Sequence, residues 1–159
     1  MAINPDFWMK ARDEAPIHVQ IRLDRRPTPD VDSLVSGPIV RIFRDGTRRL
    51  SRGDILTFEI KLWNGRPDGP PMPGRQFVGL EWEWIRKARY VEAYLDEFGG
   101  CHTLCWDQAT ALMRPTQSPV NPPGGINPYG VLVTDEVLHS AEGSDVKLWS
   151  RIFSWFRSK

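Results

Sequence analysis

Residues 38–62 read PIVRIFRDGTRRLSRGDILTFEIKL, and this stretch decides the fold class. Its first part, residues 38–44, is rich in β-branched and aromatic side chains, which favour strands. The dipeptide Asp45-Gly46 suits a type I′ turn, in which both central residues need positive φ, and residues 47–50 can pair back after it. The stretch therefore predicts antiparallel β-structure.

Two segments show a clean alternation of apolar and polar side chains. In residues 56–62 the even positions are apolar, and in residues 17–24 the odd positions are apolar, which leaves His18 and Gln20 on the polar face. A period of two is typical of a strand that buries one face and exposes the other to water. Both segments are predicted to be half-buried strands.

Residues 85–98 fit either a helix or a strand. The apolar spacing suits a helix, but basic side chains near its start and acidic ones near its end would oppose the helix dipole. The strand alternative adds a turn at residues 96–100 and a return strand over residues 101–109, and we favour this hairpin. Residues 80–84 also alternate like a strand, and residues 130–133 form a short last strand.

The 159 residues correspond to one domain in length. Residues 1–15 form an N-terminal arm, either a short helix or an ordered extension, and residues 16–135 form a β-rich core. Two long loops rich in proline and glycine interrupt this core at residues 64–74 and 115–129. Five or six strands with such loops predict a mainly β fold, a small antiparallel β-barrel or a curved sheet, with a strand count compatible with an OB-like barrel.

Residues 144–158 have the pattern of an amphipathic α-helix. Apolar side chains occupy a continuous arc of about 180° at 100° per residue, and Ser144 suits the N-cap. Docking of this helix on the barrel is the first interpretation. The second is a protein partner or a homo-oligomer contacted by Trp149, Phe153 and Phe156. A membrane surface is the least favoured, because the helix carries few cations.

Composition excludes a global attraction to charged partners. Twenty-one basic and twenty acidic residues give a net charge of +1, so no overall field draws the chain to nucleic acid or to membranes. No signal peptide and no long apolar run are present, which predicts a cytoplasmic protein.

Cysteine and histidine provide the weakest of the functional hypotheses. Cys101, His102 and Cys105 are too few for a structural zinc site, so no metal and no cofactor are predicted. A cysteine nucleophile remains an alternative, in which Cys101, His102 and Asp107 would serve a small hydrolase or transferase.

The predicted hairpin carries a local excess of positive charge. Five arginines lie within twelve positions, opposed only by Asp45 before Asp54; they are Arg41, Arg44, Arg48, Arg49 and Arg52. Arginine forks bind phosphates and carboxylates, and such a cluster with nearby aromatics can hold single-stranded nucleic acid or another polyanion. The competing and favoured interpretation is a solvated edge whose charges deter aggregation.

The function predicted first is that of a non-enzymatic binding or protein-interaction module. A ligand site between the two long loops is expected, because loops on a rigid sheet commonly carry function. Its candidate walls are Asn64, Arg66, Arg75, Trp82 and Trp84. The cysteine enzyme and the binder of nucleic acid or polyanions are the alternatives.

Overall fold

The computed structural model of the chain describes residues 5–28, 33–63 and 80–120. Its elements are, in chain order, α1 (Pro5–Glu14), β1 (Ile17–Arg22), β2 (Leu34–Asp45), β3 (Ile55–Glu59), β4 (Leu62–Trp63), β5 (Leu80–Glu81), α2 (Trp82–Lys87), β6 (Tyr90–Phe98) and β7 (Cys101–Leu112). The undecided N-terminal arm is thus a helix over most of its length.

Five of the strands form one antiparallel sheet in the order β3-β2-β1-β6-β7. The fourth strand of this sheet, β6, returns after a long connection to lie beside the first, which is a Greek-key arrangement. The edge strands β3 and β7 contact each other, so the sheet is nearly closed. The predicted mainly antiparallel, barrel-like fold is confirmed. A separate parallel pair joins β4 to β5.

The strand β2 bends and pairs with a different neighbouring strand on each side of the bend. Residues 34–38 pair with β3, and residues 39–45 pair with β1. Gly37 lies at the bend, where an added Cβ would come within 1.7 Å of the Arg22 carbonyl oxygen. Only glycine permits so close an approach of two backbones, and glycine is common at the corners of barrels.

The barrel interior is filled by the apolar positions that the alternation marks. Leu56 and Phe58 are buried in β3 while Ile55, Thr57 and Glu59 are exposed, which confirms the predicted sidedness. Aliphatic side chains of β1, β2 and β6 complete the same core, and Ile85 of α2 enters it. Burial of these side chains supplies most of the driving force for folding.

The strand predicted over residues 80–84 is wrong beyond its first two residues, because α2 begins at Trp82. Glu83 lies in the first turn of this helix and pairs with Arg86 at 2.8 Å, and the last turn is basic. Both placements favour the helix dipole, whereas the longer helix over residues 85–98 would oppose it. From Tyr90 onward the predicted hairpin is confirmed, with Gly99 and Gly100 at positive φ in its turn.

The predicted type I′ turn at Asp45-Gly46 is also wrong. Neither residue has positive φ, and the left-handed residue in this loop before Gly53 is Arg48, with φ of 54°. The Asp45 carboxylate accepts hydrogen bonds from the backbone amides of Thr47, Arg48 and Leu50. Because these bonds satisfy the backbone locally, the residues after β2 form an irregular loop and the returning strand starts only at Ile55.

The strand β1 is buried on both faces, whereas its alternation predicted one exposed face. His18 and Gln20 are as inaccessible as the apolar residues between them. The helix α1 packs against β7 on this outer side, and Thr116 and Val120 bond to side chains of β1 and β6. A polar strand face can therefore be buried when other segments of the chain cover it.

Several predicted features lie outside the described residues: the loop at 64–74, most of the loop at 115–129, the strand at 130–133 and the helix at 144–158. No helix within the described ranges is long and apolar enough to cross a membrane.

The end of α1 is fastened to the barrel by one side chain. Arg44 Nη1 donates to the carbonyl oxygens of Arg12, Asp13 and Ala15 at 2.8, 2.9 and 2.8 Å. The last carbonyls of a helix have no partner within the helix, so a cation placed there satisfies them and complements the dipole.

We expect Arg44→Ala to lower the free energy of unfolding by about 1.5–3 kcal/mol, the usual contribution of hydrogen bonds to a charged group. Arg48→Ala is the matched control, since Arg48 is exposed and its loss should change stability by less than about 0.5 kcal/mol. Urea titrations of both variants measure the difference, and equal losses would contradict the fastening role.

Candidate functional site

Two loops meet at one end of the barrel. The strands β2 and β6 both run antiparallel to β1, so the loop after β2 (residues 46–54) and the turn after β6 (residues 99–100) leave the sheet at the same end. The Arg49 guanidinium lies 3.7 Å from the Glu97 carboxylate and joins them. This end of the barrel therefore brings together the arginine cluster and the tip of the β6–β7 hairpin.

Four of the five predicted arginines form what we call the arginine surface: Arg41 of β2 and Arg48, Arg49 and Arg52 of the following loop. The three loop residues are exposed, and Arg41 is half-buried. Arg52 Nε donates to the carbonyl of Val40 at 3.0 Å, so this loop residue bonds back to the strand that carries Arg41. The fifth, Arg44, is engaged with α1 and contributes to stability instead.

Arg41 carries an unsatisfied donor. Its Nε is buried and has no hydrogen-bond partner in the part of the chain that the structure describes. Arg41 pairs in register with Gln20 of β1, and the Gln20 amide is already committed to Glu92 and Thr116. A buried donor without a hydrogen-bond partner is uncommon in folded proteins, which makes this position a candidate contact for a ligand.

The carboxylates of Asp45 and Asp54, at the two ends of the loop, accept hydrogen bonds from backbone amides. Asp45 accepts four hydrogen bonds, three from amides and one from the Thr47 hydroxyl. Partial burial raises the pKa of Asp45, but these bonds outweigh it and hold the pKa below its ordinary value. Asp54 accepts a bond from the amide of Ser51. Neither carboxylate forms an ion pair with the arginine surface.

The outer face of the sheet holds a buried polar cluster that the sequence did not predict. Glu92 accepts from His18 Nε2 at 3.0 Å, from Gln20 Nε2 at 2.7 Å and from the amide of Val120 at 3.0 Å. Gln20 also donates to the Thr116 hydroxyl and accepts from the Thr116 amide. Side chains of β1 and β6 thereby hold the segment after β7 against the barrel.

The charge of Glu92 is maintained by its partners. Burial alone would raise the pKa of Glu92, but the hydrogen bond and charge of His18, with the bonds from Gln20 and Val120, hold it below its ordinary value. The ring of Tyr94 stacks on His18 at 3.9 Å, and burial followed by the charge of Glu92 raises the pKa of Tyr94. Arg12 of α1 bonds to Gln108 of β7 beside this cluster.

The His18–Glu92 pair has the residue types of a catalytic acid–base dyad, but both side chains are closed to solvent. The two side chains are 2% and 1% exposed, so no substrate reaches them in this conformation. The pair therefore organises the outer face. Sequence alone gave no signal for it, because His18, Gln20 and Glu92 occupy the same alternating positions that solvent-facing residues occupy.

The three residues of the proposed cysteine site all lie on β7. Cys101 is exposed at the hairpin tip, while His102 pairs with Glu97 on the opposite face of the strand. The register passes from Ala93–Ala109 to Leu95–Leu104, so two steps along β6 correspond to five steps along β7, and β7 bulges between them. Asp107 lies in that bulge, and its side chain is outside the described residues.

Cys105 is a protonated, buried thiol. Its Sγ donates to Asp96 Oδ2 at 3.0 Å, and burial, reinforced by the carboxylate, raises its pKa. Such a thiol is a poor nucleophile and a poor metal ligand. In the described ranges no group of three or more His, Cys, Asp or Glu side chains could hold a metal ion.

The predicted pocket walls separate into two groups. Trp82 and Trp84 lie in α2 and pack, partly buried, against the core, which is the structural role that large aromatics commonly have. Asn64, Arg66 and Arg75 lie outside the described residues. The structure thus places Arg48, Arg49 and Arg52 in the loop that follows the strand of Arg41, and it places Trp82 and Trp84 in α2.

Comparisons with models of known protein families, with curated proteins and with solved structures give no match to this chain.

We expect Glu92→Gln to lower the free energy of unfolding at neutral pH by roughly 3–5 kcal/mol, because it leaves buried donors without their charged acceptor. The folded-state pKa of Glu92 is lowered, so its stabilisation is complete above the unfolded-state pKa of about 4.3 and disappears as the pH falls through the folded value. The difference between the two proteins should therefore shrink below pH of about 4.

Chemical denaturation at several pH values measures this difference. Glu83→Gln is the control, because Glu83 forms an exposed pair with Arg86 that water screens, and its effect should be far smaller. A Glu92→Gln penalty that stays constant down to acid pH would show that the carboxylate charge has no part in it.

Iodoacetamide should alkylate Cys101 in the folded protein and leave Cys105 unmodified until the protein is unfolded, because burial and Asp96 protect the second thiol. Mass spectrometry of peptides after timed labelling measures both rates. Unusually fast labelling of Cys101 at neutral pH would instead support the cysteine enzyme.

Proposed function

We propose that the chain is a non-enzymatic binding module and that its arginine surface binds a polyanionic ligand. The observation that carries this proposal is the buried Nε of Arg41, which has no hydrogen-bond partner among the described residues. An unsatisfied buried donor costs roughly 1–3 kcal/mol, and more when it is charged. Because this Nε is closed to solvent in the described conformation, an oxyanion supplies the missing acceptor when the half-buried Arg41 side chain shifts on binding.

The neighbouring side chains favour a ligand with repeated charge. Arg48, Arg49 and Arg52 are exposed around the same loop, and the loop's own carboxylates bond to backbone amides. A guanidinium fork donates two parallel hydrogen bonds to a phosphate or a carboxylate. The attraction is local, since the whole chain carries a net charge of only +1.

The proposed architecture is an OB-like barrel. Its support is the Greek-key order of five strands and the contact between β3 and β7. In OB barrels the face of the second and third strands, with adjacent loops, binds oligonucleotides or oligosaccharides. The arginine surface lies on the second strand and on the loop that leads to the third.

An amphipathic C-terminal helix over residues 144–158 completes the proposed architecture. Its support is the sequence pattern alone, and Trp149, Phe153 and Phe156 stay candidates for a protein partner.

Arg41→Met separates binding from stability, because methionine keeps an apolar stem but removes the unsatisfied donor. We expect the free energy of unfolding to be unchanged or higher, and the affinity for inorganic polyphosphate at about 50 mM salt to fall by about tenfold or more. Calorimetric titration of polyphosphate and urea denaturation measure the two quantities.

The paired substitution Arg48→Ala with Arg49→Ala should weaken polyphosphate binding further and reduce its salt dependence. Arg22→Ala with Arg86→Ala is the matched control, because it removes the same charge from exposed arginines that pair with Asp24 and Glu83. Equal weakening by both pairs, or no binding by the unmodified protein, would overturn the proposal.

A further inference from the structure

One exposed aromatic side chain lies at the same end of the barrel as the exposed loop arginines. Phe98 is 70% exposed at the tip of the β6–β7 hairpin, and the other large apolar side chain that is exposed in the described ranges is Ile55. Phe98 directly follows Glu97, which Arg49 contacts across the two loops. The ring is thus carried by the same end of the barrel as the exposed loop arginines.

The surroundings of Phe98 leave its ring accessible. Gly99 and Gly100 follow it in a turn with positive φ, and a Cβ added to either would meet no atom within 4 Å. The turn at Gly99 and Gly100 therefore has open space around it. An exposed phenylalanine gains nothing for folding in such a position, since its apolar surface stays in water.

The two acidic residues before Phe98 do not form a free repulsive patch. Asp96 accepts a hydrogen bond from the Cys105 thiol, and Glu97 pairs with Arg49. An approaching phosphate chain therefore meets Arg48 and Arg52 without an exposed, unpaired carboxylate from this hairpin. The exposed arginines favour an anionic ligand, and the exposed ring of Phe98 favours one that also offers a flat apolar surface.

We propose that the ligand of the arginine surface is single-stranded nucleic acid, with Phe98 as the platform on which a base stacks. Proteins that hold single strands without sequence preference combine cationic side chains along the backbone with aromatic rings under the bases. A duplex hides its base faces and cannot use the ring in this way. This inference rests on the proposed binding of polyanions and adds the ligand class to it.

Two strands that differ only in their bases test the stacking. One is oligodeoxythymidine of about 16 nucleotides, the upper end of the usual site size for one OB fold, and the other is an abasic strand of equal length and charge. We expect Phe98→Ala to weaken thymidine binding by about 5- to 150-fold and to leave abasic binding unchanged within about twofold. Phe98→Trp should retain or strengthen thymidine binding.

Fluorescence anisotropy with labelled strands measures these affinities, and circular dichroism confirms that the exposed substitution leaves the fold intact. If both strands bind through the arginines and Phe98→Ala changes neither, the stacking proposal is wrong while the polyanion proposal stands. If polyphosphate and both strands fail to bind the unmodified protein, both proposals are wrong.

Discussion

The buried carboxylate of Glu92 is the constraint around which the outer face of the barrel is organised. A charge in that position is tolerable only when several donors surround it, and His18, Gln20 and the amide of Val120 meet that requirement. Those donors come from β1 and from the segment after β7, so satisfying one carboxylate fixes three parts of the chain relative to each other. The central strand of the sheet is consequently buried on both sides.

That arrangement decides where an interaction surface can lie. With α1 and the segment after β7 covering β1, β6 and part of β7, the polar residues beneath them are structural although their chemistry resembles that of a catalytic dyad. Arg44 belongs to the same cover, because it binds the end of α1. The exposed arginine side chains lie instead at the end of the barrel, where the loop after β2 contacts the β6–β7 hairpin.

At that end, stability and binding have opposite requirements. Asp45 satisfies the backbone of its loop and thereby stabilises a shape that presents arginines outward. Arg41 has a buried donor without an acceptor, and Phe98 exposes an apolar ring to water. Both features are unfavourable in isolation, and the proposed ligand would offset them with a phosphate and a base. Sites that break a local rule in this manner are where function is commonly found.

The sequence by itself determined the β class, the faces of β3, the hairpin after Tyr90 and the clustering of arginines, because each of these follows from side chains adjacent along the chain. Only the tertiary structure decided that His18 and Gln20 are buried, since their cover comes from distant segments. It also decided that Arg44 bonds to the end of α1 while Arg41 Nε stays unsatisfied, although both residues lie on one strand. The alternation of side chains along a strand sets the face on which a residue lies, whereas long-range packing decides whether that face is covered by other segments or exposed to water.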